Sequence, residues 1–187
     1  MVQFSALFDK YADWKLLRFL LETSTSVHVK EAARKAGVSQ GTASRTLDFL
    51  RKAGVAEADS IGNLKRYRLA DSPLMRELKI LAGLTRLDDL RAVERFLEED
   101  SSIATIALYG SFASGEFDSR SDMDLLIVSN GRCDFSRLLA SLEKGFGREV
   151  TLLQYTVSEL SKARDKDPVF YANLRANHII LYGAKLP

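Results

Sequence analysis

Between Gly110 and Val128 the chain reads GSFASGEFDSRSDMDLLIV, and this stretch constrains the fold more than any other. An apolar run from Ile103 to Tyr109 leads into it. The expected order is therefore a strand, a Gly110-Ser111 turn with Gly115 behind it, a short helical or irregular link, and a second strand. On that second strand Asp122 and Asp124 are two residues apart and share one face. Two neighbouring carboxylates repel each other, so a cation is expected between them. A hard divalent ion such as Mg²⁺ suits oxygen ligands and usually accompanies a phosphate-bearing substrate. The Gly-Ser turn supplies the complementary part, since glycine lets backbone N–H groups approach phosphate oxygens closely. Alone, Asp-x-Asp is usually a solvated strand end and Gly-Ser usually a turn; together, followed by Leu-Leu-Ile-Val, they are a far less common coincidence.

The pattern Gly110-Ser111, Gly115, Ser121-Asp122-x-Asp124-Leu-Leu-Ile resembles the signature of the minimal nucleotidyltransferases, small members of the DNA polymerase beta superfamily. The resemblance covers residues 100 to 187. It implies a nucleoside triphosphate held through its phosphates by Gly110 and Ser111, with Mg²⁺ held by Asp122 and Asp124. Active members of that superfamily take a third carboxylate from the third strand, and here the corresponding position falls on Thr151. Glu149, about 7 Å earlier along the same strand, is the provisional third ligand or base. Minimal nucleotidyltransferases also resemble partners in toxin–antitoxin modules, and nothing in this chain identifies such a partner.

With 187 residues, 46% of them hydrophobic and 28% charged, the chain has room for one large or two small globular domains with buried cores. No apolar run approaches membrane-spanning length, and Asp9, Lys10, Asp13 and Lys15 interrupt any signal-like start. A cytoplasmic protein that does not enter a membrane is expected. Cys133 is the only cysteine, which excludes an internal disulfide and a cysteine-based metal site. His28 and His178 are too far apart in sequence to suggest a zinc centre. The net charge of +2 divides unevenly. Residues 1–72 hold 12 Lys and Arg against 8 Asp and Glu, and the remainder holds 15 against 17. A net +4 in the first part is compatible with a polyanion partner.

The first part reads as a DNA-binding module. Tyr11 to Glu22 places Trp14, Leu17, Phe19, Leu20 and Leu21 on a broad helical stripe. Val29 to Ala36 forms a second helix stopped by Gly37, and Ser39 caps a third, Gln40 to Lys52, closed by Gly54. Helix, turn, helix is the arrangement whose last helix enters the major groove. Ala43, Leu47 and Leu50 face inward, leaving Gln40, Gly41, Thr42, Ser44 and Arg45 outward. Arg45 is placed to read a guanine and Gln40 an adenine, while Ser39, Thr42 and Ser44 suit phosphates. Val55 to Asp59 and Leu64 to Leu69 then pair as a hairpin around Ile61-Gly62-Asn63, with Lys65, Arg66 and Arg68 on or beside its tip. Residues 11–70 resemble the winged helix-turn-helix domains of prokaryotic, archaeal-type transcription regulators through Ser39-Gln-Gly-Thr-Ala-Ser-Arg-Thr-Leu47 and Lys52-Ala-Gly-Val55. Double-stranded DNA is the partner this resemblance implies; such domains also serve as protein–protein modules.

Pro73 starts a further helical stretch, either one helix interrupted at Gly83 or two, Leu74–Ala82 and Leu84–Glu99. Its leucines form a seam for packing between domains or for a homodimer. Asp134 to Phe146 is a crossover helix, Glu149 to Tyr155 a third strand, Thr156-Val-Ser-Glu159 a capping box opening another helix, and Pro168 to Asn177 the last helix before an apolar segment, His178 to Gly183. The expected fold class is α+β: a winged helix-turn-helix domain at 1–72, a helical linker at 73–99 and a nucleotidyltransferase-like mixed sheet at 100–187. Two functions follow. One is Mg²⁺-dependent transfer of a nucleoside monophosphate; the other is DNA-binding regulation in which the second domain binds nucleotide without catalysis.

Overall fold

Leu16, Leu20, Ala43 and Leu47 are each almost wholly removed from water, and they draw the first three helices around one centre. In a computed structural model, residues 12–62 and 64–186 are described, apart from the side chains of Ile61 and Arg164. Helix α1 (Ala12–Leu21), α2 (Val29–Ala36) and α3 (Gln40–Lys52) close on a core completed by Val27, Ala32, Leu50 and Tyr67. Tyr11, expected at the start of α1, lies outside the described residues. Gly37 adopts φ 65° and returns its N–H to the Ala33 carbonyl, ending α2 as a left-handed cap does. The Ser39 hydroxyl accepts from the Thr42 N–H at 3.1 Å and starts α3, as its residue type predicts.

Strands β2 (Ala56–Ile61) and β3 (Leu64–Leu69) form the wing in antiparallel register, Ala58 opposite Tyr67. A two-residue strand, β1 (Val27–His28), adds to β3 and completes the order β1-β3-β2. His28 closes it: its Nδ1 accepts from the Lys30 N–H at 3.2 Å, so this histidine is the N-cap of α2. The Tyr67 hydroxyl donates to Asp48 on α3 at 2.9 Å. That bond, ahead of the cations Lys65, Arg51 and Lys52, holds the Asp48 carboxyl below its usual range. Burial pushes the Tyr67 phenol up to about 12.

Helix α4 (Pro73–Asp89) runs through Gly83 without a break. The interruption falls instead at Arg91, in the left-handed region at φ 50°, before α5 (Ala92–Glu99). Along the leucine seam Leu74 is exposed and Leu87 buried. Contacts divide the chain into two compact units that meet between Thr85 and Arg86, inside α4.

The second unit is a mixed sheet with helices on both faces. Its elements are β4 (Thr105–Tyr109), the single turn α6 (Gly110–Ser114), β5 (Met123–Ser129), α7 (Ser136–Phe146), β6 (Val150–Thr156), α8 (Val157–Lys166), α9 (Pro168–Ala176) and β7 (His178–Gly183). The strand order is β6-β5-β4-β7. Only the β5–β6 pair is parallel, because a parallel neighbour needs a crossover and α7 supplies it. Leu125, Leu126, Ile127 and Val128 on β5 are all buried, the continuous apolar run expected of a strand covered on both faces. Leu126 and Val128 pack with Ala107, Leu160, Tyr171 and Leu174 beneath α8 and α9. The Thr156–Glu159 capping box forms in both directions, at 3.1 and 2.8 Å, and fixes where α8 leaves the sheet.

Candidate functional site

The two aspartates predicted as metal ligands stand at the entry to β5. Asp122 immediately precedes the strand and is exposed; Asp124 is its second residue and half-buried. Across the sheet Asp124 is paired with Tyr109 on β4 and with Thr151 on β6. Among the described residues its carboxylate takes no hydrogen bond or ion pair. Burial, and then the Asp122 charge, raise its pKa above the ordinary carboxylate value. An acid held without a partner beside a like charge is poorly satisfied by protein alone. An all-oxygen donor pair of this kind fits a hard cation such as Mg²⁺, whose remaining positions are filled by water or phosphate.

Gly110 is required by this arrangement twice over. It adopts φ 69°, a conformation L residues rarely adopt. A Cβ placed on it would also collide with the Asp124 carboxylate. Ser111 follows in α6, its carbonyl accepting from the Glu116 and Phe117 N–H groups at 2.9 and 3.2 Å. Its hydroxyl takes no partner among the described residues. Tyr109, the residue before the turn, has its phenol pushed up to about 12, first by burial and then by Asp124 and Tyr155.

The loop between α6 and Asp122 is fixed by residues the sequence reading did not single out. Phe112 and Phe117 stack with centroids 3.9 Å apart and planes at 4°. The Arg148 guanidinium lies 5.0 Å above the Phe112 ring and donates to the Asp118 and Ser121 carbonyls at 3.0 and 2.8 Å. Asp118 accepts from the Arg120 N–H at 2.8 Å. A cation that caps a ring pair and two carbonyls holds the chain immediately before Asp122. The available sequence signal was an arginine between the helix stop Gly147 and the third strand.

Glu149 is not drawn into the site. Strand β6 begins only at Val150, and Glu149 lies outside it with an exposed side chain, contributing its carbonyl to the Met123 N–H at 3.0 Å. Among the described residues no three His, Cys, Asp or Glu side chains group so as to hold a metal. The position beside Asp124 belongs to Thr151.

On the winged helix the outward residues of α3 differ in how free they are. Gln40 and Arg45 are exposed and unpartnered among the described residues. Ser39 is committed to its cap and to the Thr42 hydroxyl at 2.8 Å, and Ser44 is half-buried. Lys65 is exposed, 3.8 Å from Asp48. Arg66, expected along a phosphate backbone, is half-buried and donates to the Ser26 carbonyl at 2.6 Å. Side chains alternate on a strand, and Arg66 takes the parity opposite to Tyr67. Cys133 is held through its backbone by the Gln154 amide, at 3.3 and 3.1 Å. No helix among the described residues is long and apolar enough to cross a membrane.

No curated protein matches the chain. Among solved structures it is similar to the transcriptional regulator PA3341, with 24% identity, 50% of this chain and 81% of that chain covered, and a TM-score of 0.37. It is also similar to an IclR family transcriptional regulator from Brucella abortus, with 18% identity, coverage of 90% and 63%, and a TM-score of 0.35. TrmBL2, an archaeal chromatin protein, matches at 16% identity, with coverage of 88% and 70% and a TM-score of 0.28. The segment that carries Gly110, Ser111, Asp122 and Asp124 has a match of its own: residues 90–177 fit the family model of the nucleotidyltransferase domain.

Proposed function

We propose that the second unit binds a nucleoside triphosphate with Mg²⁺ and transfers its nucleoside monophosphate to a hydroxyl acceptor, breaking the bond between the α- and β-phosphates and releasing pyrophosphate, and that the winged helix brings this activity to double-stranded DNA. The observation that carries the reading is the unpartnered, half-buried Asp124 beside Asp122, with Gly110 shaped to clear its carboxylate. The match of residues 90–177 supports the same reading. Asp122 and Asp124 would hold the metal, which when bound neutralises phosphate charge and polarises the phosphorus centre. Gly110 and Ser111 offer a backbone N–H and a free hydroxyl to phosphate oxygens. Arg148 keeps the loop before Asp122 in place. Gln40, Arg45 and Lys65 form the DNA-facing set, with Thr42 and Ser44 beside them.

A second reading is favoured by Thr151 at the position beside Asp124: a DNA-binding regulator whose second unit binds the metal-nucleotide without transferring it. Incubation with α-labelled nucleotides, Mg²⁺ and candidate nucleic acid, protein and small-molecule acceptors separates the two. Label transferred by the wild type and lost in Asp122→Ala and Asp124→Ala supports the enzyme. Mg²⁺-dependent nucleotide binding without transfer supports the regulator.

A further inference from the structure

A cavity of about 470 Å³ opens between β6, α8 and α9, floored by Leu153, Tyr155 and Phe170 and rimmed by Arg132, Lys162 and Lys166. Its volume falls in the range of small-ligand sites. The rim is unequally committed. Arg132 pairs with Glu159 at 3.3 Å, whereas Lys162 and Lys166 have no ion-pair partner among the described residues. They are four residues apart on α8, so both ammonium groups rise on one face of that helix. The floor offers two aromatic side chains beside aliphatic surface, which suits a flat ring. The far wall is closed by Asp167, whose carboxylate is occupied in accepting the Phe170 N–H at 2.9 Å.

From these features we infer that the cavity is a second nucleotide-binding site, taking a nucleoside monophosphate with its base over Tyr155 and Phe170 and its phosphate between Lys162 and Lys166. Its lining includes none of Gly110, Ser111, Asp122 or Asp124, and it needs no metal. Thr151, Leu153 and Tyr155 share one face of β6, so the cavity lies on the sheet face that carries Asp124. Tyr155 lies four positions along the strand from Thr151, about 13 Å. Tyr155 packs in the same apolar cluster as Tyr109, which is paired with Asp124, so a ligand seated there lies next to the first site.

The test is calorimetric titration of the full chain with adenosine, guanosine, cytidine and uridine monophosphates in EDTA, with inorganic phosphate and free adenosine as separate arms. Saturable binding of at least one monophosphate with Kd below about 1 mM is expected. It should weaken at least about tenfold in a Lys162→Ala, Lys166→Ala double variant and stay unchanged in Asp122→Ala, Asp124→Ala. Both lysines are solvent-exposed, and an unchanged melting temperature checks that the double variant folds. No saturable binding, equal affinity for inorganic phosphate, or dependence on the aspartates rather than the lysines overturns the inference. Because EDTA silences the metal site, failure here leaves the proposed metal-nucleotide function to its own test.

Discussion

Asp124 and Thr151 face each other across the parallel ladder of β5 and β6, so a hydroxyl, not a second carboxylate, stands beside the acid proposed to hold the metal. Replacing Thr151 by Asp puts a third acid into that space. Like charges on neighbouring strands destabilise the sheet, and the variant without metal is expected to melt at a lower temperature than wild type. Mg²⁺ should restore more stability to the variant than it adds to wild type, because the metal binds only the folded site. Melting curves with and without Mg²⁺ read both effects. An unchanged Mg²⁺ response would mean that residue 151 does not face the cation.

Gly110→Ala introduces a Cβ at a left-handed residue and against the Asp124 carboxylate. The backbone conformation alone costs about 1–2 kcal/mol, read by urea denaturation. Metal-dependent nucleotide binding is expected to fall further than stability does, because the displaced group is the proposed ligand. Loss of stability with binding intact would count against the placement of the metal.

Asp124→Asn probes the raised carboxyl pKa. The folded state holds this proton more tightly than the unfolded chain does, so ionisation costs stability as pH rises through the window between the ordinary carboxylate value and the raised one. Above that window the cost is fully present. In EDTA near neutral pH the asparagine variant is therefore expected to melt higher than wild type, with the difference vanishing below the window. In Mg²⁺ the order should reverse. Denaturation across pH with and without metal tests this, and a variant less stable than wild type in EDTA would refute it.

Arg148→Ala removes the cation over Phe112 and the two bonds to the loop carbonyls. Each charge-assisted bond contributes about 1.5–3 kcal/mol at most. The expected consequence is a loop that exchanges amide protons faster at residues 116–122 and a weaker Mg²⁺ response, with the DNA affinity of the winged helix untouched. Hydrogen exchange distinguishes this from global destabilisation, which would speed exchange throughout the unit.

The two arginines of the winged helix should separate in their effects. Arg45→Ala is expected to weaken specific DNA binding by about 1–3 kcal/mol at a base-reading position while leaving stability near wild type. Arg66→Ala should chiefly lower stability, since its guanidinium bonds the Ser26 carbonyl. Gel shifts at several salt concentrations, paired with melting curves, test both. Equal loss of DNA affinity without destabilisation in Arg66→Ala would place that arginine on the phosphate backbone after all.

Much of this fold was legible in order along the chain because its signals are local. Ser39, Gly37 and the Thr156–Glu159 box act within a helical turn, and each forms the predicted bond. The strand–turn–strand about Gly110 was equally readable from its glycine and its apolar runs. What escaped depends on partners distant in sequence. Strand β1 is two residues long and exists because β3 pairs with it. The break after α4 falls at Arg91, a residue type that does not announce a left-handed conformation, whereas Gly83 is accommodated within the helix. The half-burial of Arg66 follows from the Ser26 carbonyl that its guanidinium reaches, forty residues earlier in the chain. The aromatic and cationic support before Asp122 joins Phe112, Phe117 and Arg148, and the last of these lies beyond α7.

Strand β6 is an edge strand, hydrogen-bonded only to β5, whereas β5 is bonded on both sides. Asp124 therefore sits on an interior strand whose other residues, Met123 and Leu125 to Ser129, are buried, and Thr151 on one with an open side. Residue 151 therefore belongs to the margin of the sheet, and a substitution there meets solvent on the side of β6 away from β5. The interior strand that carries Asp124 and the outer strand that carries Thr151 thus differ in how much of the sheet a change of side chain must disturb.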